Sequence, residues 1–359
     1  MQHIQTDITD EKLVFYLSVA QISFLNFNQK KNLTKKLDSP HSLALQSIEE
    51  IFILAECEKK SRAIWNGPAN LRLAEISLAQ CKRLGIKIIL FDDDFYPELL
   101  RQISDPPFLL FCRGDCNVLS GHCVSVVGTR KLSPQGRAAA KTFAYEAALN
   151  GCSVVSGLAY GADAYAHSGA IEAFYDCKAG VEKDSAFALE RLGRTVAVLP
   201  CGIDEVVPWN NKRLAANILE SGGCLVSEYG PGSVVEKWHF VARNRIVAGL
   251  SQSVVVIEAP AGSGALITAD LALENGRDVF FHEACFCEPA KRISESVRHR
   301  LEIEHAGGRV SRYKIENTPE RFIFSGAPVI KDYKDYCLAL EEMPGARSLV
   351  PVQGELFTS

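Results

Sequence analysis

Between residues 122 and 282 the chain repeats one unit: a short apolar run, a glycine or another small residue, then a helical stretch. HCVSVVG, CSVVSG, RTVAVLPCG, CLVSEYG, SVVVIEA and DVFF are the six apolar runs. Runs that stay apolar at successive positions suit strands buried on both faces, and strands alternating with helices imply a parallel sheet covered on both sides. The helical stretches carry their own punctuation. Ser133 is placed to cap a helix, with Pro134 at its first position and Gly151 just past its end. The expectation is an α/β fold, an extended Rossmann-like parallel sheet over residues 121–310, with HFVARNRIVAGLS as one of its helices.

The flanks read differently. Residues 1–85 have no glycine before Gly67 and repeat apolar residues at helical spacing, so they predict a small helical (SAM-like) domain. Residues 86–120 read as a connector leading into the core. IKIILFDD fits a strand, and FYPELLRQISDPPFLLFCRGD, with Pro97, Pro106 and Pro107, fits an irregular link ending in another. FYDCKAGVEKDSAFALERLG, residues 174–193, is longer than an ordinary helix-to-strand join. Residues 311–359 read as a tail without strong pattern.

Bulk properties narrow the function classes. The net charge of −4 argues against binding a polyanion with the whole surface, so a nucleic-acid site must be a local positive patch. No apolar run approaches the ~20 residues of a membrane helix, and the polar, acidic MQHIQTDITDEK start favours the cytoplasm. The twelve cysteines are irregularly spaced, without CxxC. They read as reduced thiols, several of them small core hydrophobes, with no metal site.

Ligands of parallel α/β sheets bind beyond the carboxyl ends of the strands. That rule gathers Gly128, Thr129, Arg130, Lys131 and Ser133 after the first strand of the repeat. It adds Ser156, Gly157, Ala159, Gly161 and Asp163 after the second, and Gly262, Ser263, Gly264 and Thr268 after the fifth. Small residues at helix starts expose backbone N–H groups and the positive end of the helix dipole, which favour an anion. Arg130 adds a planar fork for phosphate. Arg243, Asn244 and Arg245, in an otherwise apolar helix, point toward a partner or ligand. Each turn also fits a structural role, with Asp163 and His167 as surface residues, and Glu228 and Glu258 are placed to pair an arginine. GxSxG, HExxH and GxxxxGK[ST] are all missing. The site reads as binding rather than catalytic, with no cofactor and no metal.

The stretches FYPELLRQISDPPFLLFCRGD, SVVGTRKLSPQG, VVSGLAYGADAYAH, RTVAVLPCGID, LVSEYGPG, FVARNRIVAGLS and VVVIEAPAGSGALITADLALENGRDVF, in this order, resemble the DNA processing protein A (DprA/Smf) family. They cover roughly residues 90 to 281. The resemblance implies a Rossmann domain that binds single-stranded DNA, as a homodimer, and loads the recombinase RecA onto incoming DNA in natural transformation. It implies that Gly128, Arg130, Ser133, the SGLAYGAD turn, Arg243, Asn244 and Arg245 line a DNA-phosphate pocket. Phe240, Tyr160 and Trp238 are available for stacking on bases. Two departures stand out: FHEACFCEPAKRISESVRHRL replaces the family's Pro-Gly loop and Asn-rich stretch, and no winged helix is recognisable in 311–359.

Two rival readings share the pocket. Nucleoside monophosphate phosphoribohydrolases of Rossmann-like fold carry PGGxGTxxE, whereas APAGSGALITAD has no glutamate at that place. A nucleotide-sensing regulator would need only a mononucleotide site.

Overall fold

The computed structural model describes residues 8–59, 63–180 and 189–342. Five helices come first: α1 (Asp10–Ala20), α2 (Phe27–Lys36), α3 (Pro40–Ala44), α4 (Ile48–Leu54) and α5 (Gly67–Leu84). Short polar residues set their starts. Asn26 with Gln29, Ser39 with Ser42 and Ser47 with Glu50 form reciprocal capping boxes, so these tight joins need no glycine. Gly85, at φ 64°, ends α5.

A nine-stranded sheet follows among the described residues. Its strands are β1 (Lys87–Leu90), β2 (Leu109–Gly114), β3 (Cys123–Val127), β4 (Ser153–Ser156), β5 (Thr195–Val198), β6 (Cys224–Ser227), β7 (Ser253–Val256), β8 (Asp278–His282) and β9 (Val329–Ile330). The order is β1-β2-β6-β5-β4-β3-β7-β8-β9. From β6 to β9 all neighbours are parallel, while β2 runs antiparallel to both β1 and β6. The segment 86–120, read as a connector, thus supplies the edge strand β1 and its inner neighbour β2, with α6 (Glu98–Arg101) between them in the chain.

Alternation along each strand sorts the core. In β3, Val124 and Val126 join Phe143, Ala144 and Ala166, whereas Cys123 and Val127 join Ile246, Leu266 and Ala269. The first group belongs to α7 (Pro134–Leu149) and α8 (Ala162–Lys178), with α9 (Lys212–Glu220) beside them. The second belongs to α11 (Asn244–Gly249) and α12 (Gly264–Glu274). The N-terminal helices share a core with the sheet: Tyr16 stacks on Phe108 at 5.5 Å, and Phe27 meets Phe91 edge-on at 4.6 Å.

Three segments differ from the sequence reading. HFVARNRIVAGLS is two short helices, α10 (His239–Ala242) and α11, hinged at Arg243. Residues 174–178 of the long join continue α8, and 181–188 lie outside the described residues. The tail is structured: after α13 (Glu288–Ala306) closes the core region come α14 (Arg312–Glu316), α15 (Pro319–Phe324), β9 and α16 (Tyr333–Glu342), and β9 pairs Phe281 with Val329 and His282 with Ile330. Residues 343–359 lie outside the described residues. No helix among the described residues is long and apolar enough to cross a membrane.

Candidate nucleic-acid interface

Strand order reverses at β3: β4, β5 and β6 build to one side, β7, β8 and β9 to the other. The turns after β3 and β7 therefore diverge and leave a crevice at the carboxyl end of the sheet. Close packing sets its floor. A Cβ on Gly128 would come within 2.7 Å of Ala162 Cβ, so glycine lets the end of β3 meet the start of α8. Thr129 N–H donates to Glu258 O at 2.6 Å and Ala162 N–H to Thr129 O at 3.2 Å. These bonds fix the turn that carries Arg130 and Lys131.

Arg130 is exposed, and its guanidinium lies 5.7 Å from the centre of the half-buried Phe240 ring on α10. Burial lowers the pKa of Arg243, Asp163 opposes that shift, and the nearby charge of Arg130 adds to it. Lys131 beside it is exposed and borders a small recess with Pro260, Ala290 and Ile293.

Two helix starts face this region, and they differ. At α7, Ser133 caps Gly136 N–H at 3.0 Å, but its own N–H and hydroxyl both donate to the buried Glu258 carboxylate. A Cβ on Gly136 would strike that carboxylate at 2.3 Å. The protein's own anion therefore sits at the amino end of α7, and Ser133 is not free for phosphate. Glu258 pairs a helix start rather than an arginine.

The amino end of α12 is open instead. Ser263 caps it with extended backbone, and its buried Oγ has no partner among the described residues. Gly264 is exposed, and nothing stands within 4 Å of where its Cβ would be. Asn244 Nδ2 reaches Gly264 O at 3.4 Å, which holds α11 against this end. The first N–H groups of a helix lack intrahelical acceptors, so this end, which follows the strand next to β3, suits an anion.

Several residues expected in the pocket lie beneath it. Arg243 is 5% exposed and donates to Gly157 O and Val198 O, clamping the ends of β4 and β5. A Cβ on Gly157 would meet that guanidinium at 2.3 Å; glycine here makes room for Arg243, not for a ligand. Asp163 is buried and accepts from Ala159 N–H at 3.1 Å. Burial pushes its carboxyl above the ordinary value, against the pull of Arg243 and the turn's N–H groups. His167, also expected at the surface, is fully buried. Thr195 Oγ1 donates to Val154 O and accepts from His167 Nδ1 at 2.6 Å, and burial lowers the imidazole to about 3, so it is neutral. Ser156 donates to Val126 O at 2.6 Å, and Thr268 to Gly264 O at 3.1 Å, both inside the protein.

Arg245 is occupied as well. It grips Glu228 with both Nη atoms and Asp105 through Nε at 3.0 Å, an arrangement that raises its pKa. Lys30 of α2, lowered to about 8 by burial, lies close to the same two carboxylates, so the cluster ties the helical layer to the sheet.

Two supports were not foreseen from the sequence. Asn211, just before α9, donates to Leu158 O at 2.8 Å and Ala159 O at 3.3 Å, which holds a turn whose Leu158 sits at φ 58°. The tail forms the far wall: Gly262 N–H donates to Asn317 O at 2.8 Å, and Asp270 binds Arg321, Tyr313 and Asn317. Neither contact had a local sequence signal. Nine of the twelve cysteines are buried, as packing residues should be.

The profile of the family described as DNA recombination-mediator protein A matches residues 87–300, which span β1 to β8 and most of α13. Protein Smf of Borreliella burgdorferi is 33% identical over 276 residues, covering 76% of this chain and 79% of its own length. DNA processing protein DprA of Streptococcus pneumoniae is 41% identical over 188 residues, 52% of this chain and 60% of its own length. The solved structure of that pneumococcal DprA superimposes with a TM-score of 0.62 at 27% identity, covering 94% of this chain and 99% of that one. A family match across eight of the nine strands, with a relative aligned over three quarters of the chain, places this protein in the DNA recombination-mediator protein A (DprA/Smf) family.

Proposed function

We propose that this protein binds single-stranded DNA in the crevice between the β3 and β7 turns, without catalytic turnover. The observation that carries the proposal is the exposed Arg130, set over Phe240 after β3, together with the open amino end of α12 after the adjacent strand β7. A phosphate fits between the cation and the helix, and a base fits against the half-buried ring. This combination of backbone grip and stacking without base-edge readout suits a single strand of any sequence. Arg243, Asp163, Gly157 and Asn211 shape the crevice from below, and Arg245 braces it from the side. Membership of a recombination-mediator family supports extending the reading to presentation of the strand to RecA. Homodimer formation, a cytoplasmic site of action and a part in natural transformation rest on the family alone.

The absence of turnover is supported by where the acid–base groups lie. His167 is buried and neutral, bonded to Thr195, and Asp163 is buried against Ala159 N–H. His167 has no exposed surface and Asp163 is 8% exposed. Fluorescence anisotropy with labelled oligothymidine tests binding: wild type should bind, and Arg130→Ala should weaken it by about 10-fold or more, as for a lost charge-assisted contact. Incubation with nucleoside monophosphates should release no free base. Base release, or equal affinity in Arg130→Ala, would overturn the proposal.

A further inference from the structure

Trp209 has no role in the crevice described above, yet it is 71% exposed on the loop between β5 and α9. Burying an indole is among the larger apolar gains open to a folding chain, so an indole left in water calls for an explanation. Its surroundings are specific. Lys212 places its ammonium 5.3 Å from the centre of the ring, and Arg213 next to it is exposed. Asp204 and Glu205 precede it on the same loop, but the Asp204 carboxylate is taken by Gly232 N–H at 3.0 and 3.1 Å.

A continuous line of contacts joins this loop to the crevice. Asn211, two residues after Trp209, holds Leu158 O and Ala159 O through its amide. Tyr160 follows at 43% exposure. Gly161 then lies so close to the Arg130 turn that a Cβ would meet Thr129 O at 2.2 Å and Arg130 Cα at 2.7 Å. Arg130, Tyr160 and Trp209 thus lie on the connections that follow three neighbouring strands, β3, β4 and β5. Cations flank the row at both ends, Arg130 and Lys131 at one and Lys212 and Arg213 at the other.

From this placement we infer that Trp209, backed by Lys212, is a base-stacking platform that extends the single-strand track beyond the phosphate crevice, with Tyr160 as the step between. The occupant is a nucleic-acid base, because a flat ring with a cation on it and phosphate-binding groups on either side matches the alternating chemistry of a single strand. The inference rests on the single-strand reading of the crevice.

The test uses the full chain, a 20-nucleotide oligothymidine and a base-free deoxyribose-phosphate oligomer of equal length, both read by anisotropy. Trp209→Ala should weaken oligothymidine by about 5- to 150-fold, the worth of one stacked base. It should leave the base-free oligomer unchanged, and Trp209→Phe should restore most of the loss. Arg130→Ala should weaken both probes. If Arg130→Ala weakens oligothymidine and Trp209→Ala does not, the crevice stands and the platform falls. Wild type that binds neither probe would overturn both readings. A change in oligomeric state on light scattering in Trp209→Ala, with affinity unchanged, would assign the indole to a second copy of this chain and refute the platform.

Discussion

At the scale of single residues, glycines that look alike in the sequence do opposite jobs. Gly157 and Gly264 both follow strands and both suggest close approach of a phosphate. At Gly157 the space is filled by the Arg243 guanidinium, while at Gly264 it is empty. Gly157→Ala should therefore cost about 1–3 kcal/mol of stability by overpacking, with oligothymidine affinity falling as Arg243 is displaced. Gly264→Val should leave stability within about 0.5 kcal/mol, because no protein atom meets the new side chain. It should still abolish binding, because the strand would meet it. Urea unfolding and anisotropy on the same two variants check this. Gly264→Val with wild-type affinity would show that no strand passes the amino end of α12. The motif types were legible in the sequence. Their division into floor and surface was not, because it depends on Arg243 and Glu258 folding back from turns that are distant in the chain.

At the scale of elements, α8 is tied to β5 through His167 and Thr195, and that tie sets a pH dependence. The imidazole titrates near 6.5 in an unfolded chain and at about 3 in the folded one. Between those values the unfolded chain binds a proton that the folded chain refuses. Stability from this site is thus fully present above pH 6.5 and declines as pH falls, by up to about 1.4 kcal/mol per unit. Asp163 on the same helix acts in the opposite sense, since burial raises its pKa and favours the folded state in acid. His167→Gln keeps Asp163 in place, so the difference between the two proteins isolates the histidine. Urea unfolding from pH 7 to 4 should fall more steeply in wild type than in the variant, and parallel curves would place the imidazole in solvent. Strong elements such as β3 to β8 were readable because apolar runs and glycines mark them. The tail was not. β9 is only Val329 and Ile330, and α16 is fastened by Tyr336, whose hydroxyl meets Ser253 at 2.6 Å and whose ring packs on Phe143 and Phe280. Tertiary contacts of that kind leave no periodicity behind.

At the scale of the whole molecule, the net charge of −4 means that long-range attraction does not bring a polyanion to this surface. Binding must come from a few local cations, and salt dependence counts them. Each phosphate neutralised on a single strand contributes about 0.7 to the slope of log affinity against log salt. By sequence alone Arg130, Arg243 and Arg245 read as equivalent contributors. In the fold they are not: Arg243 is buried on carbonyl oxygens, and the charge of Arg245 is cancelled by Glu228 and Asp105. Arg130→Ala should lower the slope by about one contact, ~0.7. The double change Glu228→Gln with Arg245→Gln removes that charge pair and leaves the largely exposed Asp105 carboxylate to solvent, and it should leave the slope where it is in wild type. Oligothymidine titrations from 50 to 300 mM salt (roughly the range over which counterion release is read as a straight line) give all three slopes. If the double variant also loses about 0.7, Arg245 leaves its carboxylates to meet DNA, and the bracing role assigned to it is wrong. If only Arg130→Ala loses it, then of these three arginines one meets phosphate at the switch point, and the other two hold the protein in shape around it.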